Sequence, residues 1–251
     1  MRNLCARLRS SCDANDDVST LDRILFWYVN WNVAAKARPP ESNDYVAIKM
    51  DFMANWKTGI TPTVSNVLKL QVPSTLHNKY ERYKMDVVNR ERGRTGPSPS
   101  YVKPGNEVIR YHGTSLMCQL GVSNNSKVCN SGVCNGCNIL KSGFKTTKAG
   151  AHGFNRFGLG LYSTSISSKA HYYSAASENG LGRRNRAMLV CKVVAGRSSS
   201  TQTSVGFRES MAPPESHDSI LGVPGEELHY DELVVYDSRA MIATFLILYS
   251  Y

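Results

Sequence analysis

A chain of 251 residues, 41% of them hydrophobic, can bury one sizeable core, or one core with a smaller appendage. No apolar run approaches the roughly 20 residues that span a bilayer, and the charged start Met1-Arg2-Asn3 lacks the apolar stretch of a secretory signal; a membrane-spanning helix is not expected, and an intracellular protein, cytoplasmic or nuclear, is. Thirty Lys and Arg against 20 Asp and Glu give a net charge of +10, so the surface should attract anionic dinucleotides or polyanions.

Residues 1–60 read as an N-terminal extension. Its aromatic-rich stretch over 21–31 predicts an amphipathic helix started by Ser19 or Thr20 and closed off by Pro39-Pro40. Phe26, Trp27, Tyr28 and Trp31 are expected to pack onto the main domain. From Thr61 onward Val64, Val67 and Leu68 recur at helical spacing, and a charged helix follows. It carries one basic cluster, Lys79, Arg82, Lys84, Arg90, Arg92 and Arg94; a second is Arg183, Arg184 and Arg186. Both read as solvated faces, with nucleic-acid contact as the alternative.

After a turn-rich loop over 92–106, Glu107 opens a strand that runs into His112. A helix is predicted over 139–144, ending at Gly143, then a strand over 161–164 and a helix over 167–176. Met188, Val190, Lys192 and Val194 alternate as in a strand over 187–195, and a Ser-, Thr- and Pro-rich loop covers 196–214. Two last strands fall at 233–236 and 244–249. Strands in the second half with helices inserted early predict an α+β fold, a split antiparallel sheet with flanking helices.

Three strings place chemistry on separate strand-like segments: YHGTS at 111–115, FGLGLYSTSISSKAHYY at 157–173 and YDELVVY at 230–236. His112 precedes a glycine, where a ligand can approach the backbone closely. Tyr162 and Tyr173 offer flat apolar surfaces, and Glu232 is a carboxylate flanked by Leu233. Singly, each is more simply an exposed acid or a structural ring. In this order and spacing they resemble the catalytic domain of the poly(ADP-ribose) polymerase family, over about 61–251.

The resemblance implies an ADP-ribosyltransferase fold and an enzyme that takes ADP-ribose from NAD and releases nicotinamide. Cleaving that glycosidic C–N bond passes through an oxocarbenium-like state, which a nearby carboxylate steadies. By the same resemblance His112 holds the adenosine ribose, and Gly113, with Thr114 beside it, grips the nicotinamide amide. Tyr162 is the triad tyrosine, Tyr173 stacks on nicotinamide, and Lys169 stands near the site. Glu232 holds the nicotinamide ribose hydroxyl and polarises the acceptor. A protein acceptor is expected, with mono-transfer and, because Glu232 is present, chain extension both open. The alternatives are a catalytically silent NAD- or ADP-ribose-binding module, and transfer to nucleic-acid ends.

The chain departs from the family pattern in three places. The serine that bonds the nicotinamide amide aligns with Ala170, so that contact is lost or passes to Ser167 or Ser168. The stretch upstream is too short for the regulatory helical bundle of DNA-activated members, so activation by DNA breaks is not implied. An insertion at about 116–138 holds Cys118, Cys129, Cys134 and Cys137, whose spacing suits a tetrahedral thiolate zinc site in a reducing compartment, the alternative being four reduced thiols, or a partial disulfide pair, in a floppy loop. Cys5, Cys12 and Cys191 read as unrelated, Cys191 as a core thiol on a strand.

Overall fold

The computed structural model describes residues 34–94, 103–148, 155–174, 185–204, 207 and 210–251. The helix expected over 21–31, with Phe26, Trp27, Tyr28 and Trp31, lies outside the described residues, as do Cys5, Cys12, Arg183 and Arg184.

Five strands form the larger sheet in the order β1-β2-β9-β5-β3: β1 (Ala34–Ala37), β2 (Thr63–Gln71), β9 (Met241–Ser250), β5 (Asn185–Val194) and β3 (Glu107–Thr114), each pair antiparallel. The two central strands are nearly continuous apolar runs because both faces of the sheet are covered. Val64, Val67, Met188, Val190, Phe245 and Ile247 face α1 (Asn43–Ala54) through Ile48 and Phe52. Leu68, Leu70, Leu189, Leu246 and Leu248 face α2 (Ser74–Gly93), which presents Tyr80, Tyr83 and Val87 at helical spacing.

The helix expected to begin near Thr61 is instead strand β2. A register shift between Val64 and Asn66, where β2 pairs with β9, is the cause. It resets the alternation, so Val64 and Val67, three apart, share one face, while Leu68 next to Val67 turns to the other. A bulge in a strand buried on both faces thus imitates helical spacing. The neighbouring α1 is started by Ser42, whose hydroxyl accepts from the Tyr45 N–H at 3.3 Å.

The second sheet has four strands in the order β4-β8-β7-β6: β4 (Leu161–Ser163), β8 (Glu232–Val235), β7 (Ser219–Gly222) and β6 (Ser198–Thr201). β6 lies inside the stretch expected to be loop and pairs in parallel with β7, an exception to the antiparallel pattern. Phe157, Ile220, Leu228 and Val234 pack together on one face of this sheet. The two sheets meet where Tyr111 and Thr164 exchange backbone hydrogen bonds of 2.8 and 3.1 Å. That junction sets β3 beside β4, and the helix after β4, α4 (Ser167–His171), lies against β3.

α3 (Asn135–Ser142) starts before the expected position and ends at Gly143, which sits at φ 77°. The insertion ahead of it is packed rather than floppy. Leu116 and Leu120 are fully buried in the main core, and Asn66 bonds the Gly121 carbonyl at 2.9 Å.

Candidate active site

β3, β4, β8 and α4 are neighbours, and each contributes one of the residues singled out in the sequence. His112 faces Phe144, whose ring meets it edge-on at 5.1 Å. Its Nδ1 lies 2.9 Å from the Tyr162 carbonyl. A carbonyl only accepts, so Nδ1 carries the proton, and in the neutral ring Nε2 is the acceptor.

At Gly113 a Cβ would fall 2.1 Å from the Ala170 carbonyl and 2.9 Å from the Tyr173 backbone. β3 and α4 approach each other there backbone to backbone, which any larger residue would prevent. Thr114 is buried at the end of β3, beneath Gly136. Tyr173 leaves 47% of its surface exposed.

Tyr162 is held at its hydroxyl, which accepts from the Phe157 N–H at 2.8 Å and donates to the Gly158 carbonyl at 2.9 Å. Tyr236 donates to the Phe157 carbonyl. Two tyrosines therefore pin the Phe157-Gly158 turn, and Gly158 at φ 80° has Ser210 against its Cα. Burial, reinforced by the Glu232 charge, pushes the Tyr162 hydroxyl above its ordinary range, so it stays protonated and presents its ring.

Glu232 opens β8. Period-two alternation puts it with Val234 and Tyr236 on the face that carries Phe157 and Tyr162. It is 8% exposed; Oε1 lies 2.8 Å from Lys169 Nζ, and Oε2 is buried without a hydrogen-bond donor, 4.0 Å from Arg156 Nε. Lys169 also donates to the Tyr230 and Asp231 carbonyls at 3.1 and 3.2 Å. Burial lowers its pKa, against the pull of Glu232.

Three residues here were not read from the sequence. Asp231 accepts from the Thr164 hydroxyl at 3.0 Å, the Ser165 N–H at 3.1 Å and the Ser165 hydroxyl at 2.7 Å, with Arg110 at 3.7 Å. It thereby ties the second residue of YDEL to the loop before α4; its place beside Glu232 was the available signal. Arg156, directly before the FGLGLY string, pairs with Glu227 at 2.7 Å. Phe144 carried no local mark.

Neither serine takes over the contact missing at Ala170. The Ser167 hydroxyl donates to the Phe52 carbonyl at 2.6 Å, and Ser168 accepts from the Lys57 N–H at 3.0 Å; both are fully buried against α1 and the turn after it.

The four insertion cysteines converge, their sulfurs all within 4.8 Å of one another. All are free thiols, with Cys118 and Cys137 Sγ 3.5 Å apart. Burial pushes Cys118 up to about 11 and raises Cys137 further. Cys191 is buried on β5, apart from them.

Two sheets joined at Tyr111 and Thr164, with helices on the larger one, form the ADP-ribosyltransferase fold. The chain belongs to the family described as "Poly(ADP-ribose) polymerase catalytic domain", whose profile matches residues 42–251. That family uses NAD as co-substrate. The match begins ahead of Thr61 and takes in α1, which covers one face of the larger sheet. No curated protein matches the chain. Among the described residues no helix is long and apolar enough to cross a membrane.

Proposed function

We propose that this protein is an active transferase that moves ADP-ribose from NAD to a protein side chain and releases nicotinamide. The observation that carries this reading is the Glu232 carboxylate: one oxygen is held by Lys169, and the other is buried with no hydrogen bond, Arg156 Nε standing 4.0 Å away. A buried acceptor without a donor is costly unless a ligand supplies one, and a ribose hydroxyl does so. In the reaction the C–N bond to nicotinamide breaks with its electron pair leaving on the ring. The oxocarbenium-like centre is steadied by Glu232, and an acceptor oxygen bonds to the anomeric carbon as it sheds its proton. His112 Nε2 accepts from the adenosine ribose, the Gly113 backbone holds the amide, and Tyr162 and Tyr173 flank the nicotinamide.

A protein acceptor is favoured over nucleic acid by the state of the basic cluster on α2. Lys84 pairs with Glu107 and Glu81, and Arg90 and Arg94 both bind Asp218, so half of that cluster is spent within the fold. The cysteine cluster takes no part in the transfer; with zinc bound it acts as a structural clasp.

The test is incubation with labelled NAD, alone, with a protein extract and with RNA, comparing wild type with Glu232→Gln. Label on protein and nicotinamide release from wild type only are expected. Label on RNA alone would replace the acceptor, and NAD binding without nicotinamide release from wild type would make the chain a silent binding module.

A further inference from the structure

The insertion brings four cysteines from three chain segments to one point. Cys118 lies just past the end of β3, Cys129 on the loop, and Cys134 and Cys137 at the start of α3. Zinc with four thiolates at about 2.3 Å has sulfurs about 3.8 Å apart. Here Cys118 Sγ lies 3.5 Å from Cys137 and 3.9 Å from Cys134, with no pair beyond 4.8 Å. Those separations are far too long for a disulfide.

Met117 N–H donates to Cys134 Sγ at 3.3 Å, a backbone contact of the kind that supports a metal-bound thiolate.

The cluster also has a mechanical position. α3 spans 8 residues, too few to persist without tertiary anchoring. Its C-terminal end, with Ile139, Gly143 and Phe144, borders a cavity of about 220 Å³ shared with α2 and the start of β9. The helix is held in the main core at its start by Cys134 and Cys137 and farther along by Leu140, all fully buried, with the cavity beside its last turn. Phe144, two residues past the end of α3, is the ring against His112.

We propose that Cys118, Cys129, Cys134 and Cys137 bind one zinc ion as four thiolates, and that the ion clamps α3 so that Phe144 keeps His112 in place for NAD. Binding exchanges four S–H protons for four Zn–S bonds, with no change of oxidation state. The closed set of four sulfurs leaves no position for water, so the ion is structural. The second half of the proposal rests on His112 being an NAD-binding residue.

Protein purified under reducing conditions without added metal is analysed by mass spectrometry for zinc and iron; one zinc per chain is expected. Exchange with cobalt(II) chloride should give the intense charge-transfer and visible bands of a tetrahedral thiolate site, lost in Cys129→Ser. About a tenth of an equivalent of zinc or less, with no cobalt bands, overturns the site, and iron in its place overturns the assignment.

The clamp is read by NAD binding rather than turnover. Stripping zinc with a mercurial and a chelator should weaken binding roughly tenfold, and reloading zinc should restore it. Phe144→Ala, which leaves the sulfurs in place, should keep the zinc and weaken NAD binding similarly, and it reads the clamp even where stripping unfolds the chain. Unchanged NAD affinity in Phe144→Ala overturns the clamp while leaving the zinc. Failure of zinc-loaded wild type to bind NAD at all would overturn both the clamp and the transferase reading, with the metal count still deciding the ion.

Discussion

Lys169 Nζ lies 2.8 Å from Glu232 Oε1 and also binds the two carbonyls just before Glu232. One ammonium group therefore locks the carboxylate to α4, the helix that leads to Tyr173. The pair is largely buried, so its loss leaves a desolvated carboxylate rather than a solvated one.

Lys169→Met should accordingly destabilise the fold by about 2 to 4 kcal/mol and lower the rate of nicotinamide release. Lys169→Arg should restore only part of both, because a planar guanidinium does not reproduce three bonds from a single nitrogen. Chemical denaturation and release kinetics on the two variants check this; wild-type values in Lys169→Met would refute it.

Tyr162 and Tyr173 should fail in different ways. Tyr162→Phe keeps the ring but strips partners from the Phe157 N–H and the Gly158 carbonyl, costing about 1 to 3 kcal/mol of stability. Tyr173→Ala removes a half-exposed ring, so the melting temperature should hardly move while NAD binding weakens roughly tenfold through lost stacking. Thermal unfolding and NAD titration on both variants separate the two roles.

Asp231→Asn replaces one acceptor oxygen with a donor facing the Ser165 N–H and hydroxyl. We expect kcat to fall roughly tenfold with a smaller change in KM, because Asp231 touches no reacting atom and acts by positioning Glu232. An equal rise in KM at unchanged kcat would place Asp231 in binding instead.

Asp218 gives a stability prediction with a defined sign. Burial alone would raise its pKa, but hydrogen bonds from Arg94, the Arg197 N–H and Arg90 outweigh it and hold the carboxyl below the ordinary carboxylate value. A folded pKa below the unfolded one of about 3.9 gives stability that is present above pH 4 and lost as the pH falls through the folded value. Asp218→Asn should cost about 2 to 4 kcal/mol at pH 7 and a smaller amount at pH 3, measured by denaturant titration at the two values. A cost that does not shrink on acidification would remove the ion pair as its cause.

Much of this site was legible in the chain. The strings around His112, Tyr162 and Glu232 are contiguous, and the alternation of Met188 and Val190 or the apolar run of β9 is a local property that survives into the fold. The helix expected near Thr61 failed because spacing is read on the assumption of regular pairing, and the irregularity between Val64 and Asn66 exists only where β2 meets β9. β6 was hidden because a short Ser-rich strand at a sheet edge buries too little to leave an apolar pattern.

By itself, then, the sequence determined the family and the α+β class, since these depend on short motifs and on periodicity along the chain. Only the tertiary structure decided what the residues of those motifs do to one another. Asp231 reaches Ser165 across 66 positions, Ser167 and Ser168 turn toward α1 and away from the gap at Ala170, and Phe144 meets His112 from the end of a helix begun by two cysteines. Such contacts depend on how two sheets join at Tyr111 and Thr164 and on which faces the helices cover, and no local spacing encodes either.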